Sequence, residues 1–156
     1  MEPGLLQWLE ATPLAASVGA SVQMIAYLSA AHLLGFTLIM GSAIVANFRL
    51  LGVLLPACSV QEVTRPAGWA VAVGLVVSLT TGFLLFAWRA TELAANGTFQ
   101  LKMALLLSAA AFHFSWHRHV SRSQAAGMRR LRATGALGLV LWFALALAGC
   151  ALILLE

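Results

Sequence analysis

The sequence predicts an all-α integral membrane protein: an up-and-down four-helix bundle with a short N-terminal interfacial helix. Three observations carry this. Of 156 residues, 62% are hydrophobic and only 9% charged, where a soluble domain carries about a quarter charged residues. Four apolar stretches, Met24–Phe48, Ala67–Ala87, Phe99–His117 and Ala133–Leu155, each approach the ~20 residues that cross a bilayer core. The connections between them are short, so successive helices alternate in direction. A soluble helical protein would need polar faces, and Ala70–Phe86 has almost none.

The elements follow in order. Residues 3–12 form a short amphipathic piece with Leu5, Leu6, Trp8 and Leu9 on its apolar side, closed by Pro13; it reads as a helix lying in the outer membrane surface. A second short turn covers Leu14–Gly19. Helix 1 extends past the membrane through Leu51, with Asn47 and Arg49 as its first strongly polar residues, and Pro56 ends it. Thr64, ahead of Pro66, is the expected cap of helix 2. That helix carries Gly74, Ser78 and Gly82 at four-residue spacing. The stripe fits close helix packing first and a flat ligand second. Trp88 and Arg89 mark the outer interface, and Asn96-Gly97 is a turn signal. Helix 3 runs to the cluster His117-Arg118-His119. Helix 4 offers Gly135, Gly138, Ala146 and Gly149 as small packing positions beside Trp142.

Charge sets the orientation. Arg118–Arg132 holds five arginines and no acid, so this loop is expected in the cytoplasm, together with residues 47–65. Residues 89–100 and both termini are then outside. The net charge of +4 lies between helices, which argues for topology rather than nucleic acid. No basic residue precedes the first apolar run, so no cleaved signal peptide is expected. Cys58 and Cys150 form no spacing motif and no disulfide is expected. A chain rich in Leu, Ala, Gly and Arg with a single lysine looks like that of a GC-rich bacterium. The expected location is therefore the bacterial inner membrane, with periplasmic termini, and the Asn96-Gly97-Thr98 sequon carries no meaning there.

The chemistry centres on histidine. His32 stands in the middle of the first apolar stretch. A titratable ring at that depth faces the bundle interior and is a functional-site hypothesis by default. Gly35 leaves room one turn away, and Phe36 could pack on a macrocycle's edge. The plainer alternative is a hydrogen bond to Ser78, Thr80 or Thr81 of helix 2. His113 lies inside the third stretch, and His117 follows one turn later. His117 and His119 read as interfacial residues beside Trp116 and Arg118. The alternative, a zinc or copper pair at His113 and His117, lacks the further ligands such a site needs, unless Met24, Met40 or Met103 contribute thioethers to copper(I). A b-type haem needs only one or two axial ligands, an apolar slot and cations for its propionates. His32 and His113 are the expected axial ligands, and Arg49, Arg89 and Lys102 the expected propionate partners. Counting ~1.5 Å per residue, His113 comes out several ångströms deeper than His32. Unless helix tilt removes that gap, the haem takes one histidine.

The order of these residues resembles a known group. Helix 1 reads His32-Leu-Leu-Gly35, then Gly41, then Phe48-Arg49-Leu50-Leu51-Gly52; helix 2 ends Thr80-Thr81-Gly82; helix 3 places Lys102 eleven residues before His113. From Leu28 to about Leu141 this resembles bacterial four-helix membrane proteins: the membrane domain of copper-resistance protein D, the HemJ-type protoporphyrinogen oxidase and related uncharacterised families. The resemblance to the HemJ type implies a haem b bundle in which His32, Arg49, Lys102 and His113 match the family's histidine, arginine, lysine and second histidine. Ala46-Asn47-Phe48 stands where that family is rich in Trp and Tyr. The copper-resistance proteins are longer, and this chain lacks a methionine-rich metal motif. The chain looks closest to the uncharacterised members.

The expected function is a haem b-binding membrane protein that moves electrons, with a quinone or a redox protein as partner. No nucleophile or acid–base constellation is visible, so any enzymatic activity would be redox. The alternatives are a copper- or metal-handling protein using His32, His113 and His117, and a cofactor-free accessory or scaffold subunit. The small-residue stripes would support homo-oligomers.

Overall fold

A computed structural model describes residues 4–123 and 127–154. Among them, all regular structure is helical. Three helices are long and apolar enough to cross a membrane: Val22–Leu51, Val60–Ala87 and Met128–Leu152. They are compatible with a multi-pass membrane protein.

Local chemistry sets the helix ends. Two short helices come first, α1 (Leu5–Glu10) and α2 (Pro13–Gly19), the second capped by the Thr12 hydroxyl and opened by Pro13. Helix α3 (Val22–Leu51) starts where the Ser21 hydroxyl accepts the Met24 N–H at 3.2 Å. It stops at Gly52, whose φ of +82° is left-handed, a conformation that costs glycine little and ends many helices. The Arg49 guanidinium then holds the following loop by donating twice to the Cys58 carbonyl, at 2.6 and 3.1 Å.

Helix α4 (Val60–Ala87) begins seven residues before the expected Ala67, because Ser59 and Glu62 form a capping box. The Glu62 amide donates to the Ser59 hydroxyl at 3.2 Å, and the Ser59 amide to the Glu62 carboxylate at 2.6 Å. Thr64, the expected cap, is instead inside the helix and donates to the Val60 carbonyl at 2.9 Å. Pro66 interrupts the helix without ending it.

The stretch expected as a single third span is divided. A short helix α5 (Ala90–Ala95) occupies what reads as loop. Asn96 then caps α6 (Gly97–Phe112), its side chain accepting from the Thr98 and Phe99 amides at 2.8 and 3.1 Å. From His113 to His117 the helix continues as a π turn, and α7 (Arg118–Arg122) resumes α-helical bonding. No Gly or Pro lies within 113–117, so side-chain packing rather than a backbone breaker supports the wider turn. Helix α8 (Met128–Leu154) starts five residues before the expected Ala133. Its expected end at Leu155, like Pro3 at the start of the N-terminal piece, lies outside the described residues.

Helix α3 runs along α4, and α8 packs against both α3 and α6, while α7 returns to α4. The buried core is Ile39, Ala43, Val71, Leu75, Ala109, Trp142 and Leu145. In lipid, helices associate by close packing rather than by apolar burial, and small residues permit the approach. A Cβ on Gly35 would lie 2.6 Å from Ser78 Oγ, and one on Gly74 2.7 Å from the Gly35 carbonyl. A Cβ on Gly135 would meet the Asn47 carbonyl at 2.7 Å, and one on Gly138 would collide with Asn47 Oδ1. The small residues are thus turned inward against this chain's own helices. Outward faces carry bulky apolar side chains such as Leu34, Val76, Val140 and Leu147, each more than 60% exposed.

Candidate functional site

Two histidine sites lie at different levels of the fold. The first is His32, on α3. Its Nδ1–H donates to the Ser78 carbonyl at 2.9 Å, with Thr81 Oγ1 at 3.3 Å. A carbonyl oxygen accepts only, so the proton sits on Nδ1 and Nε2 carries the lone pair. Gly82 provides the space for this ring: a Cβ there would be 2.9 Å from His32 Cε1. In return Ser78 Oγ donates to the His32 carbonyl at 3.4 Å. Lys102, on α6, lies within electrostatic reach of His32 and against Gly149 of α8. Phe36 packs against the core. The space at Gly35 is taken by α4, so it serves helix contact and not a macrocycle.

The second site is built on the π turn. His113 and His117 stack with ring centroids 4.8 Å apart and planes 23° from parallel. The edge of His113 meets Trp142 of α8 at 6.0 Å and Phe114 at 5.2 Å. Both rings are buried, at 3% and 2% exposure, so His117 is turned into the protein rather than left at its surface; His119 is exposed. His113 Nδ1 and His117 Nε2 are buried with no hydrogen-bond partner among the described residues. Such groups each cost about 1–3 kcal/mol if nothing else satisfies them.

These two rings line a cleft of about 190 Å³ between α4 and the π turn with α7. Arg65, Arg118 and Arg122 line it too, with Gln61, Thr64 and Trp69, and no Asp or Glu does. Gln61 Nε2 donates to the Arg122 carbonyl at 3.0 Å and ties the end of α7 to the start of α4. In the sequence these arginines mark only topology; their convergence with the histidines depends on how α7 folds back.

The structure does not bring His32 and His113 together. Helix α4 is the ruler: His32 meets it at Ser78 and Gly82, whereas His113 Nε2 faces Gly68. Ten to fourteen residues separate these levels, about 15–21 Å at ~1.5 Å per residue. Trans ligands of one metal stand only roughly 4 Å apart, twice a metal–imidazole bond of ~2 Å. One iron therefore cannot take both, and the pairing expected from the sequence is corrected. The cations divide as well. Arg49 holds the Cys58 carbonyl. Arg89 pairs with Glu92 through two hydrogen bonds and lies 5.3 Å from the Trp88 ring centroid. The Arg89 guanidinium thereby holds the Glu92 carboxyl below the usual carboxylate range. Of the expected propionate partners, Lys102 alone sits beside His32. Among the described residues, no three His, Cys, Asp or Glu side chains cluster as a metal site.

Comparison with known proteins gives one assignment. A family model described as a family of unknown function, DUF6644, matches residues 6–153. No curated protein and no solved structure matches. The chain belongs to the DUF6644 family.

Proposed function

For this member of a family without an assigned function, we propose a four-span protein of the bacterial inner membrane that binds one haem b through His32 and carries electrons. The fourth span is the helical run Gly97–Arg122, joined through its π turn, which completes an up-and-down bundle. Helix α1 lies in the outer interface, both termini are periplasmic, and the arginine-rich loop after α7 is cytoplasmic. One observation carries the haem reading: the His32 Nδ1–H bond to the Ser78 carbonyl. That bond fixes the tautomer, orients the ring and raises the basicity of Nε2, as the outer partners of metal-bound histidines do.

A haem held by His32 and His113 together does not fit the residues present, so the reading takes His32 as the sole histidine ligand. A bound haem would supply one-electron chemistry. Ser78 and Thr81 hold the imidazole, Gly82 gives it room, and Lys102 supplies positive charge for an anionic propionate. A quinol or a redox protein is the expected electron donor. The scaffold alternative draws less support, because Gly35, Gly74, Gly135 and Gly138 are used within the chain and are not offered to a partner.

The test is a reduced-minus-oxidised spectrum of the detergent-purified protein, expressed with haem supplied, with pyridine haemochrome quantitation. The expected result is one b-type haem per chain with a single-histidine spectrum. His32→Ala should lose the haem and His113→Ala should keep it. A protein that stays colourless, or a His32→Ala variant with a full Soret band, overturns the reading.

A further inference from the structure

We propose that the cleft between α4 and the π turn with α7 binds a phosphate group, supplied by an anionic phospholipid headgroup or by free phosphate. The inference is independent of haem at His32. Three features of the cleft point the same way. First, three guanidiniums (Arg65, Arg118 and Arg122) line it without a carboxylate, and among the described residues none of them forms an ion pair. That field attracts an anion and repels a metal cation. Guanidinium forks also match phosphate oxygens geometrically. Second, two almost fully buried imidazoles, His113 and His117, line the cleft as well, and His113 Nε2 faces the cleft residue Gly68. A neutral imidazole carries one N–H, and a phosphate oxygen accepts it. The cleft thus combines exposed guanidiniums with imidazole rings and no carboxylate.

Third, size and surroundings fit. About 190 Å³ is below the ~300–1,000 Å³ of ordinary small-molecule pockets. It suits a phosphate and the start of its ester chain, not a porphyrin. Trp69 and Phe114 also line the cleft, and Trp69 is 71% exposed. Such aromatic rings sit at the headgroup level of a bilayer, and basic pockets between spanning helices take lipid headgroups.

The experiment uses the full-length protein, purified in detergent and stripped of lipid. Native mass spectrometry and thermal unfolding are followed on titration with phosphatidylglycerol, with phosphatidylcholine and with inorganic phosphate. One retained phosphatidylglycerol per chain and a raised Tm, with phosphatidylcholine giving neither, is the result expected for a lipid headgroup. Saturable stabilisation by inorganic phosphate, with no retained lipid, assigns free phosphate instead. In either case the double variant Arg65→Gln/Arg122→Gln, altered only at exposed side chains, should weaken binding by about tenfold or more per guanidinium. His117→Leu should weaken it as well, while haem content stays unchanged. The proposal is overturned if neither phosphate source binds, if the double variant binds as wild type does, or if copper or zinc binds stoichiometrically at His113 and His117.

Discussion

The two histidine sites solve the same problem in opposite ways. A polar ring among apolar helices must find partners. His32 finds them in the Ser78 carbonyl and the Thr81 hydroxyl of α4, and Gly82 makes space for the ring. His113 and His117 stack on each other, with Trp142 and Phe114 at the edge of His113, and among the described residues two of their nitrogens have no hydrogen-bond partner. The first site is complete inside the protein except for one lone pair. The second keeps two buried nitrogens without a partner among the described residues. The difference separates a side chain that the fold orients by hydrogen bonds from a pair that the fold buries by stacking alone.

Four substitutions would break or sharpen that contrast. The largest effect is expected from Gly74→Leu. The α3 backbone occupies the place of any side chain there, so the α3–α4 contact and the His32 anchor are lost together. No folded monomer should be recovered by size-exclusion chromatography in detergent. Next comes His117→Leu, which removes an unsatisfied buried polar group at similar volume. In lipid-stripped protein it should raise stability by about 1–3 kcal/mol, read from denaturant unfolding; a loss of stability would mean that the pair is already satisfied. His32→Leu should act in the opposite sense. It breaks an interhelical hydrogen bond and should cost about 1 kcal/mol. Equal signs for these two variants would erase the distinction between the sites.

The smallest effect is expected far from both, at Glu92. Its hydrogen bonds from Arg89 depress the carboxyl's folded pKa. The stability it contributes is therefore present above the ordinary carboxylate value and lost as pH falls through the depressed one. Glu92→Gln should remove that slight acid sensitivity and leave Tm at neutral pH nearly unchanged, as for most exposed pairs. A large change at neutral pH would mean that this exposed pair carries structural weight.

Much of this was legible in the residues. Hydropathy alone marks the three long apolar helices, and a hydrogen bond from His32 to Ser78, Thr80 or Thr81 was legible as the plainer alternative to a ligand role; the ring takes the Ser78 carbonyl and Thr81. Other features were not legible, for physical reasons. His117 stands next to Arg118 in the chain and reads as interfacial, yet it is buried, in a π turn that no propensity rule marks. Arg49 reads as a cation for a ligand, but a helix ending at a left-handed glycine directs it to the next loop's carbonyl. Arg65 and Arg122 lie 57 positions apart in the numbering, and only the return of α7 to α4 makes them neighbours. Asn47 marks a helix exit by polarity but is fully buried against α8.

Asn47 has a wider consequence. Its Nδ2 donates to the Ala43 carbonyl at 2.7 Å, while Oδ1 faces the bare Cα of Gly138. Neither position can grow alone: a side chain at 138 has nowhere to go while the amide stands, and a larger residue at 47 has no room while α8 lies so close. A mutational scan of the two positions together should find that most single changes fail. The changes that survive should be swaps, in which 138 grows only where 47 shrinks. Sites ninety-one residues apart along the chain are inherited as one choice.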